Sequence, residues 1–146
     1  MYGFQYAEKN LMNLESDYPY EERDDTSCRS SQHKGYYSIS SYVSVRSNSE
    51  SALMSSIAEG PTSVGIEADQ LHFQSYKSGI LDSNCGTNLD HAVLAVGYGT
   101  SNGQDYYKVK NSWSSSWGEN GYIRIGRNGN GNGICGIQMD AMRPIN

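Results

Sequence analysis

Two alternating runs mark the centre of the chain. Leu94-Ala95-Val96-Gly97-Tyr98-Gly99-Thr100 is apolar on alternate positions and ends in glycines, and Gln104-Asp105-Tyr106-Tyr107-Lys108-Val109-Lys110 alternates as well. A period of two is the mark of a half-buried strand. Thr100-Ser101-Asn102-Gly103 supplies turn residues between the runs, so together they predict a β-hairpin. His91 then starts the first strand and Asn111 ends the second, which brings both side chains to one end of the hairpin. A histidine and an asparagine placed so can form an imidazole whose orientation and tautomer are set by an amide.

The flanking segments read in the same way. Phe4, Ala7, Leu11 and Leu14 fall at helical spacing, with Tyr2, Tyr6 and Asn13 on another side, and a helix fits from Tyr2 to Asn10. Tyr36 to Val45 alternates loosely and predicts a strand. Ser47-Asn48-Ser49-Glu50 reads as a capping box, with Ser47 as N-cap and Glu50 three residues on. The helix that follows buries Leu53, Met54 and Ile57 and stops at Gly60-Pro61. Thr62–Ala68 and Gly121–Arg127 predict further strands. Asn128-Gly129-Asn130-Gly131-Asn132-Gly133 is a turn-rich loop; without a following Lys-Ser/Thr and helix it is no phosphate cradle.

Composition narrows the classes. A chain of 146 residues suits one domain with a modest core. Net charge −5, with no basic stripe, speaks against nucleic-acid binding. The count of 12 Tyr against 2 Phe, with abundant serine, favours strands and loops over a helical bundle. No apolar run approaches a membrane span, and Met1-Tyr2-Gly3-Phe4-Gln5 is not a signal peptide. His33 and His72 read as surface residues without metal-ligand spacing, so neither a metal nor a cofactor is expected. Three cysteines cannot all pair within one chain.

Asp90-His91-Ala92-Val93, Val96-Gly97-Tyr98-Gly99, Lys110-Asn111-Ser112-Trp113 and Trp117-Gly118-Glu119-Asn120-Gly121-Tyr122 together resemble the C-terminal part of a papain-like cysteine peptidase of the cathepsin L/papain group. The likeness runs from Tyr2 to Pro144. It implies an α+β fold: a mainly antiparallel, β-barrel-like domain over about residues 46–146, with a remnant of the helical domain and crossover over about 1–45. A short helix around His72 belongs to the same pattern.

The resemblance also implies roles. His91 would be general base and acid and Asn111 its orienter, with Trp113 covering the pair on the leaving-group side of the cleft; the alternative is that Trp113 is a rim aromatic. Where the family has glycine after this tryptophan, Ser114 stands here, which fits if its φ is negative. Gly65, Leu89 and Asp140 would line the pocket for the second residue before the scissile bond, with Asp90 also in the cleft. Asp140 would favour Arg or Lys there, unless it points to solvent. Cys85 and Cys135 would pair, closing a loop whose entropy is worth roughly 3–4.7 kcal/mol; two reduced thiols are the alternative. Cys28 would pair with a cysteine outside this chain or be a free thiol. A nucleophilic role for Cys28 is not expected, since the acidic run before it would raise its pKa.

In this family the nucleophilic cysteine lies roughly 130–150 residues before the His and Asn, and here its glycine-flanked signature is absent. The resemblance places Met1 as an internal methionine just downstream of a Cys-Asn-Gly-Gly segment, in a truncated clone or gene model. The expectation is a piece carrying two members of a Cys–His–Asn triad and inactive alone, with an exposed apolar face. Two alternatives stand beside it: a non-catalytic binding or scaffold relative, and one chain of a two-chain peptidase. Completed, it would meet peptide substrates and protein inhibitors in a lysosome, a vacuole or outside the cell.

Overall fold

The computed structural model describes residues 2–24 and 27–146 and divides into two units, Met1–Val43 with Pro144–Asn146, and Ser44–Arg143. Met1, Asp25 and Thr26 lie outside the described residues, and with them the reading of Met1 as an internal methionine and part of the acidic run before Cys28.

In the first unit helix α1 spans Tyr2–Lys9 and buries Ala7. The apolar spacing that points on to Leu11 and Leu14 does not extend it. The chain instead enters a two-residue strand β1 (Met12–Asn13), paired antiparallel with β2 (Gly35–Tyr37). Asn13 drives this exit: its amide donates to the carbonyls of Ser30, His33 and Lys34, three acceptors that a helix would not offer. Leu11 stays 55 % exposed, but a Cβ at Gly35 would sit 2.3 Å from the Leu11 Cβ, so only glycine fits beside it. The strand predicted over residues 36–45 is two strands, β2 and β3 (Ser41–Ser44). The break falls where the Ile39 N–H turns to the Ala7 carbonyl and the Ser40 N–H to Ile145.

In the second unit α2 (Glu50–Glu59) is followed by β4 (Thr62–Ile66), a single helical turn α3 (Leu71–Gln74) and β5 (Ile80–Leu81). The hairpin strands are β6 (His91–Ser101) and β7 (Gln104–Lys110), and β8 (Tyr122–Gly126) and β9 (Ala141–Ile145) complete the set. Within this unit the strand order is β9-β4-β6-β7-β8-β5. The β4–β6, β6–β7 and β7–β8 pairs are antiparallel, while β5 lies parallel to β8. The sheet is open rather than closed on itself, so the barrel-like character expected from the resemblance is not closure. Alternate residues of β4, β7 and β8 pack Val64, Ile66, Tyr107, Val109, Ile123 and Ile125 against Leu53 and Ile57 of α2 and against Phe73. Tyr107 is fully buried; its hydroxyl donates to Gln138 Oε1 at 2.9 Å, and burial holds its pKa above the ordinary tyrosine value. The Gln138 amide in turn donates to the carbonyls of Gly129 and Gly131, which fixes the glycine-rich loop.

The cap of α2 departs from the predicted box. Asn48 adopts a φ of +59° and its N–H donates to the Gln138 carbonyl, which delays the helix by two residues. Ser49 becomes the N-cap, its hydroxyl accepting from Ala52 N–H at 3.3 Å. Glu50 does not reach back to the cap; its carboxylate accepts from Arg127 and from the Gly129 N–H. A half-buried guanidinium is a stronger partner than an exposed amide. Ser49→Ala should therefore lower stability by about 1 kcal/mol, and Ser47→Ala by less than about 0.5 kcal/mol. Denaturant midpoints of the two variants decide between the caps.

Candidate active site

The β6–β7 hairpin closes through Asn102 and Gly103, with φ of +51° and +79°, the two left-handed positions of a type I′ turn. From Ser101↔Gln104 to Gly97↔Lys108 the pairing is regular; it then shifts, with Ala95 opposite Val109 and Leu94 opposite Lys110. Val96 is the extra residue of a β-bulge. Carried one step on, the shifted register sets Asn111 level with Val93, on the face that His91 shares two residues earlier. Without the extra residue Asn111 would come level with Leu94 and point to the opposite face.

Asn111 is buried, and its Oδ1 lies 2.9 Å from His91 Nε2 and 2.8 Å from the Ser112 backbone nitrogen. A backbone N–H can only donate, so the side-chain atom facing Ser112 is the oxygen. That oxygen can only accept, so the imidazole carries its proton on Nε2 and leaves Nδ1 as the free lone pair. The Asn111 N–H donates to the Gly121 carbonyl, which anchors the residue beyond the end of β7.

Trp113 stacks on the imidazole, with ring centroids 5.2 Å apart and planes 26° from parallel. It rests edge-on against Phe73 and Trp117, and the Trp117 indole N–H donates to the Gln74 carbonyl. The ring thus shields one side of the His91–Asn111 bond from water, where competition would weaken it. Ser114, next to it, has a φ of +68°, so the negative value under which a serine replaces glycine without strain is not the one adopted. Its hydroxyl compensates locally, accepting from the Ser116 N–H and bonding the Ser116 hydroxyl at 2.7 Å.

The approach to His91 is held from several sides. Ile66 pairs with His91 and Gly65 with Ala92 across β4–β6. Asp90 Oδ1 accepts from the Ala68 N–H at 2.8 Å, so this carboxylate, expected in the cleft, has one oxygen tied to the backbone. Glu67, which sequence reading passed over, is buried and accepts from the Asn88 N–H and the Gln70 side chain. A lone glutamate just past the end of a strand carries no signal for that role. Gly65, Leu89 and Asp140 lie together: a Cβ at Gly65 would meet Leu89 Cδ1 at 3.2 Å and Asp140 Cβ at 3.7 Å. Gly136, at φ +74°, would bring a Cβ within 2.6 Å of the other Leu89 methyl, so glycine is required behind this wall.

Cys85 and Cys135 form a disulfide. Cys28 is an exposed thiol beside Ser30; hydrogen bonding from the Ser30 hydroxyl and backbone N–H places its pKa below the usual thiol value, the reverse of the direction expected from the acidic run. His33 is half-buried and stacks on Tyr18 at 4.6 Å, while His72 is exposed on α3. Among the described residues no cluster of His, Cys, Asp and Glu could hold a metal ion, and no helix is long and apolar enough to cross a membrane.

Two outcomes are expected. Nitrogen-15 spectra of neutral His91 should show the proton on Nε2, and Asn111→Ala should yield a mixture of tautomers; an Nδ1-protonated ring in the unaltered chain refutes the assignment. Ser114→Gly should raise stability by about 0.5–1 kcal/mol, relief of left-handed strain outweighing the extra freedom of the unfolded glycine, measured by denaturant unfolding.

The profile of the family described as papain family cysteine protease matches residues 1–145. The chain is 47 % identical over 146 residues to a probable cysteine protease, RD21B, of Arabidopsis thaliana, covering 99 % of this chain and 32 % of that protein. It is 46 % identical over 145 residues to papaya proteinase 4 of Carica papaya, covering 98 % and 41 %. It thus spans about a third to two fifths of the length of these relatives. A crystal structure of the Carica candamarcensis cysteine protease CMS1MS2 in complex with E-64 superposes with a TM-score of 0.90 at 42 % identity, over 99 % of this chain and 66 % of that one. Bromelain from Ananas comosus, also in complex with E64, gives 0.90 at 40 % identity, over 97 % and 66 %. With the profile spanning nearly every residue, the chain belongs to the papain family of cysteine proteases.

Proposed function

We propose that this chain supplies the histidine–asparagine half of a cysteine peptidase active site, with His91 as general base and acid and Asn111 as its orienter. The observation that carries the reading is the Asn111 Oδ1 held by both Ser112 N–H and His91 Nε2. It leaves Nδ1 as the basic atom, as a proton acceptor for a thiol requires. Two of the three cysteines here are joined to each other, and the third has its thiol against Ser30. The nucleophile is accordingly a cysteine from outside these residues, brought by further residues of the same polypeptide or by a second chain.

In the completed site His91 Nδ1 takes the thiol proton, giving a thiolate–imidazolium pair. The thiolate attacks a peptide carbonyl, and the imidazolium donates its Nδ1 proton to the departing amine, leaving an acyl-enzyme. His91 then takes a proton from water, whose oxygen attacks the acyl carbon and releases the thiolate. Asn111 keeps the ring from turning throughout, and Trp113 keeps solvent off one face of that bond. Gly65 leaves room in the neighbouring wall, and Asp140 at its rim favours Arg or Lys beside Leu or Phe. Peptides are the substrates and E-64-type compounds and protein inhibitors the ligands of the completed protein; a vacuolar, lysosomal or secreted location suits its relatives.

A specific alternative is a non-catalytic binding or scaffold protein that keeps His91 and Asn111 while another residue stands in the nucleophile's place. Turnover separates the readings. The chain alone should show no peptidase activity. Joined to the nucleophile-bearing segment of a papain-family relative, it should cleave peptide substrates, and His91→Ala should cost roughly a hundred- to ten-thousandfold. Full turnover in the His91 variant would refute the assignment. Asp140→Ala should lower turnover of Arg and Lys substrates a few-fold relative to Leu, as befits an exposed pair worth about 0.2–1 kcal/mol; unchanged preference removes Asp140 from the pocket. Intact mass before and after reduction of the purified natural material shows whether a second polypeptide is bound through Cys28.

A further inference from the structure

The dipeptide Asn-Gly occurs five times, at Asn102, Asn120, Asn128, Asn130 and Asn132. The step is chemically labile because glycine has no Cβ to shield its backbone nitrogen or restrict its approach to the asparagine side chain. With the same two residues at every site, differences between them come from the fold.

The fold separates them clearly. The Gly129 N–H donates to the Glu50 carboxylate at 2.6 Å. The Gly131 N–H donates to the Asn48 carbonyl at 3.1 Å, and Asn130 Oδ1 itself accepts from the Glu50 N–H. The Gly121 N–H donates to the Trp117 carbonyl at 2.8 Å. At these three positions the attacking nitrogen is occupied. Among the described residues no hydrogen bond falls on the N–H of Gly103 or Gly133, nor on the side chains of Asn102 and Asn132, both of which are exposed.

We propose that Asn102 and Asn132 are the sites of spontaneous deamidation in this protein and that hydrogen bonding of the following glycine protects the other three. The Gly nitrogen attacks the Asn Cγ, the bond from Cγ to the side-chain nitrogen breaks, and ammonia leaves with the proton of the glycine amide. Water then opens the resulting cyclic imide at either carbonyl, giving aspartate or isoaspartate. Each event adds one negative charge to a chain already at −5. The two sites differ in consequence. Aspartate is a native-like residue for the turn at Asn102. At Asn132 the backbone carbonyl accepts from the Gln138 N–H, so the extra backbone carbon of isoaspartate strains the contact that anchors the glycine-rich loop.

The test is to incubate the whole chain in mildly alkaline buffer and map new acid residues by peptide mass spectrometry. A parallel sample is held in guanidinium. Folded, Asn102 and Asn132 should convert roughly tenfold or more faster than Asn120, Asn128 and Asn130, the factor expected for one protecting hydrogen bond. Unfolded, the five rates should converge. Equal rates in the folded chain, or the same ranking in the unfolded one, would overturn the proposal.

Discussion

A single inserted residue in the register of one hairpin decides whether this molecule has a site at all. Side chains alternate across a strand, so the face on which Asn111 emerges is a matter of parity, and parity is set by counting from the turn. The tight turn at Asn102-Gly103 fixes the count at one end, and the bulge at Val96 changes it by one before the strands run out. The hydrophobic face pays no penalty for the change, because Val93 and Ala95 before the bulge and Tyr107 and Val109 opposite all remain buried. What the bulge achieves is to put a buried amide on the same face as an imidazole.

Once the two side chains share a face, ordinary hydrogen-bond rules complete the arrangement. The Ser112 N–H orients the amide and the amide orients the ring, each step following from the one before because each group has only one role open to it. The aromatic trio of Phe73, Trp113 and Trp117 supplies the dry side that makes such a chain of bonds worth having. Ser114 follows Trp113 in the left-handed conformation, and its hydroxyl and that of Ser116 satisfy one another.

A second set of contacts works at the other end of β6. The segment from Cys85 to Asp90 is tied by the disulfide to Cys135 and by the Glu67 carboxylate at Asn88, and Asp90 ties it to Ala68. These links cross sequence separations of twenty residues or more and converge on the stretch leading to His91. They also set the wall formed by Leu89 between two glycines, Gly65 and Gly136. Position of the ring and shape of the neighbouring wall therefore rest on the same bonds.

The sequence by itself determined the elements whose periodicity is strong and whose punctuation is local. The hairpin, the helix ending at Gly60, the strand after Pro61 and the placing of His91 and Asn111 at one end of the hairpin could all be read from alternation, turn residues and spaced motifs. Only the tertiary structure decided the rest. A bulge leaves no mark in a run that alternates on both sides of it, so Val96 was invisible. The N-cap moved from Ser47 to Ser49 because Arg127 and Gly129, nearly eighty residues on, compete for the Glu50 carboxylate. After helix α1 the chain enters β1 rather than carrying the apolar spacing on to Leu14, because Asn13 found three carbonyls around residues 30–34. The sign of φ at Ser114 and the work of Glu67 likewise depend on partners brought from elsewhere in the chain. Local patterns record what a residue prefers, whereas register, caps and buried carboxylates are settled by which distant groups arrive to bind them.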